Sequence, residues 1–213
     1  MARGRGQSLR TGRRKGFRRQ FGLDRSGPPP RQTRPGQPLR PWTIPNAVGY
    51  IRLAGLPVFL YLAFSSGDGR DPWAAAIFWL IAAGDYLDGF LARATGQYSR
   101  MGALLDPVVD RLTILCGVIV CWHFDLLPRW ALALLVIREV VTLILGEVYL
   151  RRVGELEINW LGRIAVTPVM AAIFFSMVSD SWVWSAMLIF GVVLGILGTI
   201  AYVRTGLREL ATA

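Results

Sequence analysis

A chain of 213 residues that is 53% hydrophobic and only 18% charged carries too much apolar surface for an ordinary soluble globular domain, which points to an integral membrane protein. Twelve of its 24 basic residues precede Trp42 against a single acid there, Asp24, so the formal net charge of +10 belongs to a tail and does not mark a nucleic-acid-binding domain. Cys116 and Cys121 stand on different helix faces and His123 is the one histidine, which excludes a disulfide frame, a Cys/His metal cluster and histidine-based catalysis.

Residues 1–42 are rich in Gly, Pro, Arg and Gln, with Pro28, Pro29 and Pro30 in a row, and bury too little apolar surface to fold. They are predicted to form a disordered cytoplasmic tail that either meets anionic headgroups or is a solvated extension. No apolar core of a cleavable signal precedes Trp42.

Residues 43–213 are predicted to form one transmembrane domain of six helices, near 47–66, 72–92, 102–122, 130–150, 160–179 and 182–203. Each run approaches the roughly 20 residues that cross a hydrocarbon core. With the tail inside, the cytoplasmic segments carry Arg93 and Arg100, then Arg151, Arg152 and Arg163, then Arg204 and Arg208, whereas the external loops carry Arg70 and Arg129. That asymmetry follows the positive-inside rule and puts both termini in the cytoplasm. Trp42, Trp73, Trp122, Trp130, Trp160, Trp182 and Trp184 fall near the span ends, where amphipathic rings prefer the headgroup layer.

The second and third spans hold the anomaly. An Asp near a helix centre costs about 2.5–3.5 kcal/mol on insertion scales and is normally retained for function. Asp85 and Asp88 share one face of the second helix by their spacing, and Asp106 and Asp110 share one face of the third. The short connection makes these helices antiparallel neighbours, so the four carboxylates are expected to converge at the cytoplasmic end. Anions so close need cations, and oxygen-only ligands favour Mg²⁺ or Mn²⁺. Two such ions form the usual clamp for displacement at phosphorus. Gly89 would let a ligand approach the helix backbone, and Arg93, one turn on, suits a phosphate.

The run Asp85, Asp88, Gly89, Ala92, Arg93, Gly102, Asp106, Asp110 fits DxxDGxxARx8Gx3Dx3D throughout, fixing eight positions over 26 residues. It resembles the signature of the CDP-alcohol phosphotransferases, and the resemblance extends over IPN at 44–46, Arg52, the six-span layout and IREVV at 137–141. What it implies is an all-α, six-helix membrane domain, often a homodimer, with a cytoplasm-facing site for CDP-diacylglycerol. It further implies that Asp85, Asp88 and Asp106 bind metal, and that Asp110 both touches metal and takes the acceptor proton. Asn46, Gly89, Arg93 and Ser99 would contact CDP-diacylglycerol, and CMP would leave. The stretch at 134–147 resembles the branch that uses glycerol 3-phosphate, with the cardiolipin synthases, which use phosphatidylglycerol, as the alternative. Gly49 stands where that branch usually has Thr or Ser, and LDPVVDR at 105–111 replaces LDPVADK.

Arg111, Arg138, Arg151 and Arg163 are candidate contacts for an acceptor phosphate. Arg138, inside the fourth span, is expected to be functional or to pair with a buried acid such as Glu147, while Glu139 beside it points elsewhere on the helix. The partners expected are therefore CDP-diacylglycerol, the acceptor and membrane lipid, without nucleic acid, at a bacterial inner membrane. A cation or proton transporter also uses intramembrane Asp residues, but these acids cluster at one face in adjacent helices and no inverted repeat is evident. A scaffold with spans as mere anchors has no need of four aspartates.

Overall fold

A computed structural model describes the backbone of residues 38–152 and 160–212, and the side chains of 38–145, 164–201, 203 and 204. Most of the expected tail thus lies outside the described residues. Among them the chain is all-helical, with α1 (Ile44–Ser65), α2 (Pro72–Thr95), α3 (Arg100–His123), α4 (Arg129–Arg152), α5 (Trp160–Ser176) and α6 (Trp182–Thr212). These match the six expected runs, except that α6 continues past the expected end at 203.

The helix starts are written in short polar side chains. Thr43 Oγ1 accepts from the Asn46 amide at the start of α1, and Ser99 Oγ accepts from the Gly102 amide at the start of α3. Asp71 caps α2 through the amides of Trp73 and Ala74, with Pro72 at the first helical position, where its missing N–H costs nothing. Gly96, at φ 65°, follows the C-terminal end of α2 in the left-handed conformation common after helices.

Among the described residues, three helices are long and apolar enough to cross a membrane: Ile44–Ser65, Pro72–Thr95 and the Trp182–Ala201 part of α6. α3 and α4 carry more charge, including Asp106, Asp110 and Arg111 on one and Arg138 and Glu139 on the other, and α5 has only 17 residues. Trp42, Trp73 and Trp182 are at least 73% exposed at or beside helix ends.

The chain divides into two compact units, Met1–Gly55 with Leu80–Asp110, and Leu56–Trp79 with Arg111–Ala213. In the first, a Cβ on Gly55 would lie 3.1 Å from Ile81 Cδ1 and one on Gly49 would lie 2.7 Å from Leu105 Cδ2, so α1 lies close to both α2 and α3. The Thr or Ser usual at position 49 in the resembling branch would have to push Leu105 aside, and Gly49 fits the packing here.

In the second unit, Phe59 packs on Phe78 with centroids 5.3 Å apart. Leu132, Ile173, Met177 and Leu188 are fully buried. α6 packs on α4 and α5. A Cβ on Gly191 would sit 2.7 Å from Val169 Cγ2 and 3.1 Å from the Ala165 carbonyl oxygen, so this glycine sets how close α5 and α6 come. Cys116 and Cys121 are free and buried, and Arg70 pairs with Asp180 at 3.4 Å.

Candidate active site

The motif residues from Asp85 to Asp110 all fall in the first unit, on α2 and α3. Asp88 is buried, while Asp85, Asp106 and Asp110 are half-buried. Asp106 lies within electrostatic reach of Asp85, Asp88 and Asp110. Pro107 has no N–H to offer the Ala103 carbonyl, which loosens the α3 ladder beside Asp106.

The sequence expectation is of four carboxylates converging around cations. Among the described residues, no three His, Cys, Asp or Glu side chains stand close enough to hold one metal ion together. A guanidinium stands among these acids. Arg52, on α1, donates from Nη1 to Asp88 Oδ2 at 2.9 Å and from Nη2 to Asp110 Oδ1 at 2.6 Å. Its Nε donates to the Ile81 carbonyl at 2.8 Å, and its side chain is only 3% exposed. The arm reaches the acids across Gly84, where a Cβ would lie 2.6 Å from Arg52 Cδ.

In the sequence, Arg52 stands out only through the family resemblance, without a role. The available signal was an arginine in the middle of an apolar helix, a costly placement that demands an anionic partner. In donor chemistry the cluster fits hard divalent cations, being all carboxylate oxygen with four acids facing one guanidinium. In placement, two of those acids are held by Arg52.

Gly89 and Arg93 lie together on α2: a Cβ at Gly89 would stand 3.3 Å from Arg93 Nη1, so the missing side chain leaves room for the guanidinium to fold back along the helix. Asn46 and Ser99 are both buried and bonded to each other, Ser99 Oγ donating to Asn46 Oδ1 at 2.9 Å. Asn46 Nδ2 donates to the Arg40 and Pro41 carbonyls, the Met101 backbone amide to the Leu39 carbonyl, and the Ile44 backbone amide to Gln97 Oε1. This lattice ties residues 39–46 to the start of α3. The motif glycine Gly102 makes room for it, since a Cβ there would lie 2.7 Å from Asn46 Oδ1.

Of the candidate acceptor contacts, Arg111 is half-buried on α3, directly after Asp110. Arg138 belongs to the second unit, where its Nη1 pairs with Glu139 Oε1. The expectation that Glu139 points elsewhere is thereby corrected: adjacent Cβ atoms diverge on a helix, but the arms of Arg and Glu are long enough to meet. Both side chains line a small cavity with Leu135 and Val169, and Arg138 Nε is buried without a hydrogen-bond partner among the described residues. Arg151 and Arg163 stand on α4 and α5, but their side chains, like that of Glu147, lie outside the described residues.

Comparison with known proteins adds an independent line. The profile of the CDP-alcohol phosphatidyltransferase family matches residues 42–197. Similar curated proteins include the cardiolipin synthase (CMP-forming) of Streptomyces coelicolor, 38% identical over 167 residues, covering 75% of this chain and 77% of the relative. The CDP-diacylglycerol–glycerol-3-phosphate 3-phosphatidyltransferase of Escherichia coli K12 is 31% identical over 141 residues, covering 62% of this chain and 75% of the relative. Its namesake in Cereibacter sphaeroides is 30% identical over 136 residues, covering 62% of each chain. Three membrane-length apolar helices, the spaced aspartates and a match over most of the chain lead to one conclusion: the protein belongs to the CDP-alcohol phosphatidyltransferase family and is a membrane-associated transferase of phospholipid biosynthesis.

Proposed function

We propose that this protein transfers the phosphatidyl group of CDP-diacylglycerol to the free hydroxyl of phosphatidylglycerol, forming cardiolipin and releasing CMP. The observation that carries the acceptor is the higher identity to the Streptomyces coelicolor cardiolipin synthase, 38% against 30–31% for the relatives named for glycerol 3-phosphate. Glycerol 3-phosphate, the acceptor placed first by the 134–147 stretch, is the second reading, supported by those latter relatives.

The reading takes all six helices as spans, with both termini and the aspartate cluster on the cytoplasmic side, and allows for a homodimer. Charge distribution supports the orientation. The family generally uses divalent ions. Asp85, Asp88, Asp106 and Asp110 would hold two of them, Mg²⁺ or Mn²⁺, which supply charge neutralisation at the diphosphate.

Asp110, the more exposed of the two acids bonded to Arg52, takes the proton of the acceptor hydroxyl. The acceptor oxygen then bonds to the phosphorus that carries diacylglycerol, and the bond from that phosphorus to the CMP oxygen breaks. Arg93, with Gly89 leaving the α2 backbone open beside it, binds the diphosphate. Asn46 and Ser99 serve CDP-diacylglycerol by fixing the α1 and α3 ends around it. Arg111, Arg138, Arg151 and Arg163 are the basic groups from which a contact to the acceptor phosphate would come.

The deciding experiment supplies purified protein with CDP-diacylglycerol, Mg²⁺ and either phosphatidylglycerol or glycerol 3-phosphate. CMP and cardiolipin from phosphatidylglycerol are expected. Product from glycerol 3-phosphate alone would move the chain to the second reading, and absence of CMP with both would falsify the transferase reading.

A further inference from the structure

Arg52 is an unusual group to find inside an acid cluster that must accept cations. Its side chain is 3% exposed and Asp88's is 5% exposed, so neither exchanges freely with water. All three donor nitrogens are committed, Nε to the Ile81 carbonyl and the two Nη atoms to acids on different helices. The arm also has a built path. Gly84 sits under it, and a Cβ at that position would meet Cδ at 2.6 Å and Cγ at 2.8 Å. Asp85 lies within electrostatic reach as well.

We propose that Arg52 is the resident cation of the carboxylate cluster: it holds Asp88 and Asp110 together before metal arrives and competes with divalent ions for the same two carboxylates. The inference rests on the metal reading above and deepens it. Carboxylates this close repel one another in a low-dielectric setting unless a positive charge stands among them. A guanidinium is suited to the task because its planar fork bonds two acids at once and it keeps its charge when buried. A divalent ion entering the cluster meets a site already partly neutralised. It must share Asp88 and Asp110 with the guanidinium or take them from it, which weakens ion binding. Arg52 is therefore a positioning residue that also tunes metal affinity downward, toward a site that loads readily and does not trap its ion.

A merely structural arginine and a competing one make opposite forecasts for metal. Losing a purely structural support would disorder the ligands and weaken metal binding, whereas losing a competitor strengthens it. The test uses the full-length protein in detergent, titrated with Mn²⁺ while free Mn²⁺ is followed by electron paramagnetic resonance, beside thermal denaturation in EDTA. Arg52→Gln is expected to bind Mn²⁺ about tenfold more tightly than the parent. Its melting temperature should be lower in EDTA and should recover more steeply with Mn²⁺ than the parent's.

Arg52→Lys keeps a charge but cannot fork to both acids, so its Mn²⁺ affinity should fall between the two, and it provides the measurement if Arg52→Gln does not fold. Equal or weaker Mn²⁺ binding by a folded variant overturns the proposal. Failure of parent and variants alike to bind Mn²⁺ would remove the metal reading itself, and the competition with it.

Discussion

Ser99 donates its hydroxyl to Asn46 Oδ1 at 2.9 Å, joining residues 53 apart in the chain at a buried point where the starts of α1 and α3 meet. The bond exists because Gly102 has no side chain: a Cβ there would lie 2.7 Å from the Asn46 oxygen and 3.2 Å from the Ser99 oxygen. Gly102→Ala is expected to separate the pair and leave buried polar atoms unsatisfied, at about 1–3 kcal/mol each. Thermal denaturation in detergent measures this directly. A melting temperature equal to the parent's would mean that the pair can shift without loss.

The contact between α5 and α6 at Gly191 is of another kind. The nearest atoms to an added Cβ include the backbone oxygen of Ala165, which has no rotamer to escape into, as well as Val169 Cγ2. Gly191→Val is expected to destabilise by about 1–3 kcal/mol through overpacking. The substitution replaces none of the motif residues, so at temperatures where the variant stays folded its KM for CDP-diacylglycerol should stay near the parent value. A large KM change at full stability would contradict this account.

Helix positions were legible because apolar runs near 20 residues separated by Gly, Pro, Asp and Ser leave little choice, and the caps at Thr43, Asp71 and Ser99 confirm where those breaks act. α6 outran its expected end because Arg204 and Arg208 read as a boundary, although arginine is a good helix former. The acid pairs were legible by spacing alone. Arg52 was not, since its partners are 36 and 58 residues away and no local pattern links them. The pairing of Arg138 with Glu139 escaped for a different reason, as helical spacing gives Cβ directions but not the reach of two long arms.

Asp110 is the acid of the Arg52 pair that is open to a substrate hydroxyl. Its side chain is 45% exposed, against 5% for Asp88, so a substrate hydroxyl can reach it. Asp110→Asn keeps the shape and removes the base, together with one carboxylate of the Arg52 pair. CMP release is expected to fall by about 10²–10⁴-fold, the usual worth of general base catalysis, with the KM for CDP-diacylglycerol much less affected. Steady-state kinetics at saturating acceptor distinguishes the two parameters. A variant with normal turnover would hand the base role to another group.

Carbonyls N-terminal of Trp42 accept hydrogen bonds that composition does not reveal. A tail read as 1–42 suggests that everything before Trp42 is dispensable, yet the carbonyls of Leu39, Arg40 and Pro41 accept from the Met101 amide and from the side-chain amide of Asn46. Removing residues 2–37 leaves all of these bonds in place and is expected to preserve both melting temperature and CMP release. Removing residues 2–41 takes away the acceptors and strands the buried Asn46 amide, at about 1–3 kcal/mol for the lost partners. The two truncations differ only by Pro38, Leu39, Arg40 and Pro41, which carry no motif, so a drop in melting temperature for the longer deletion alone would locate the domain edge within that stretch. Equal stability of the two would show that water satisfies Asn46 as well as the chain does.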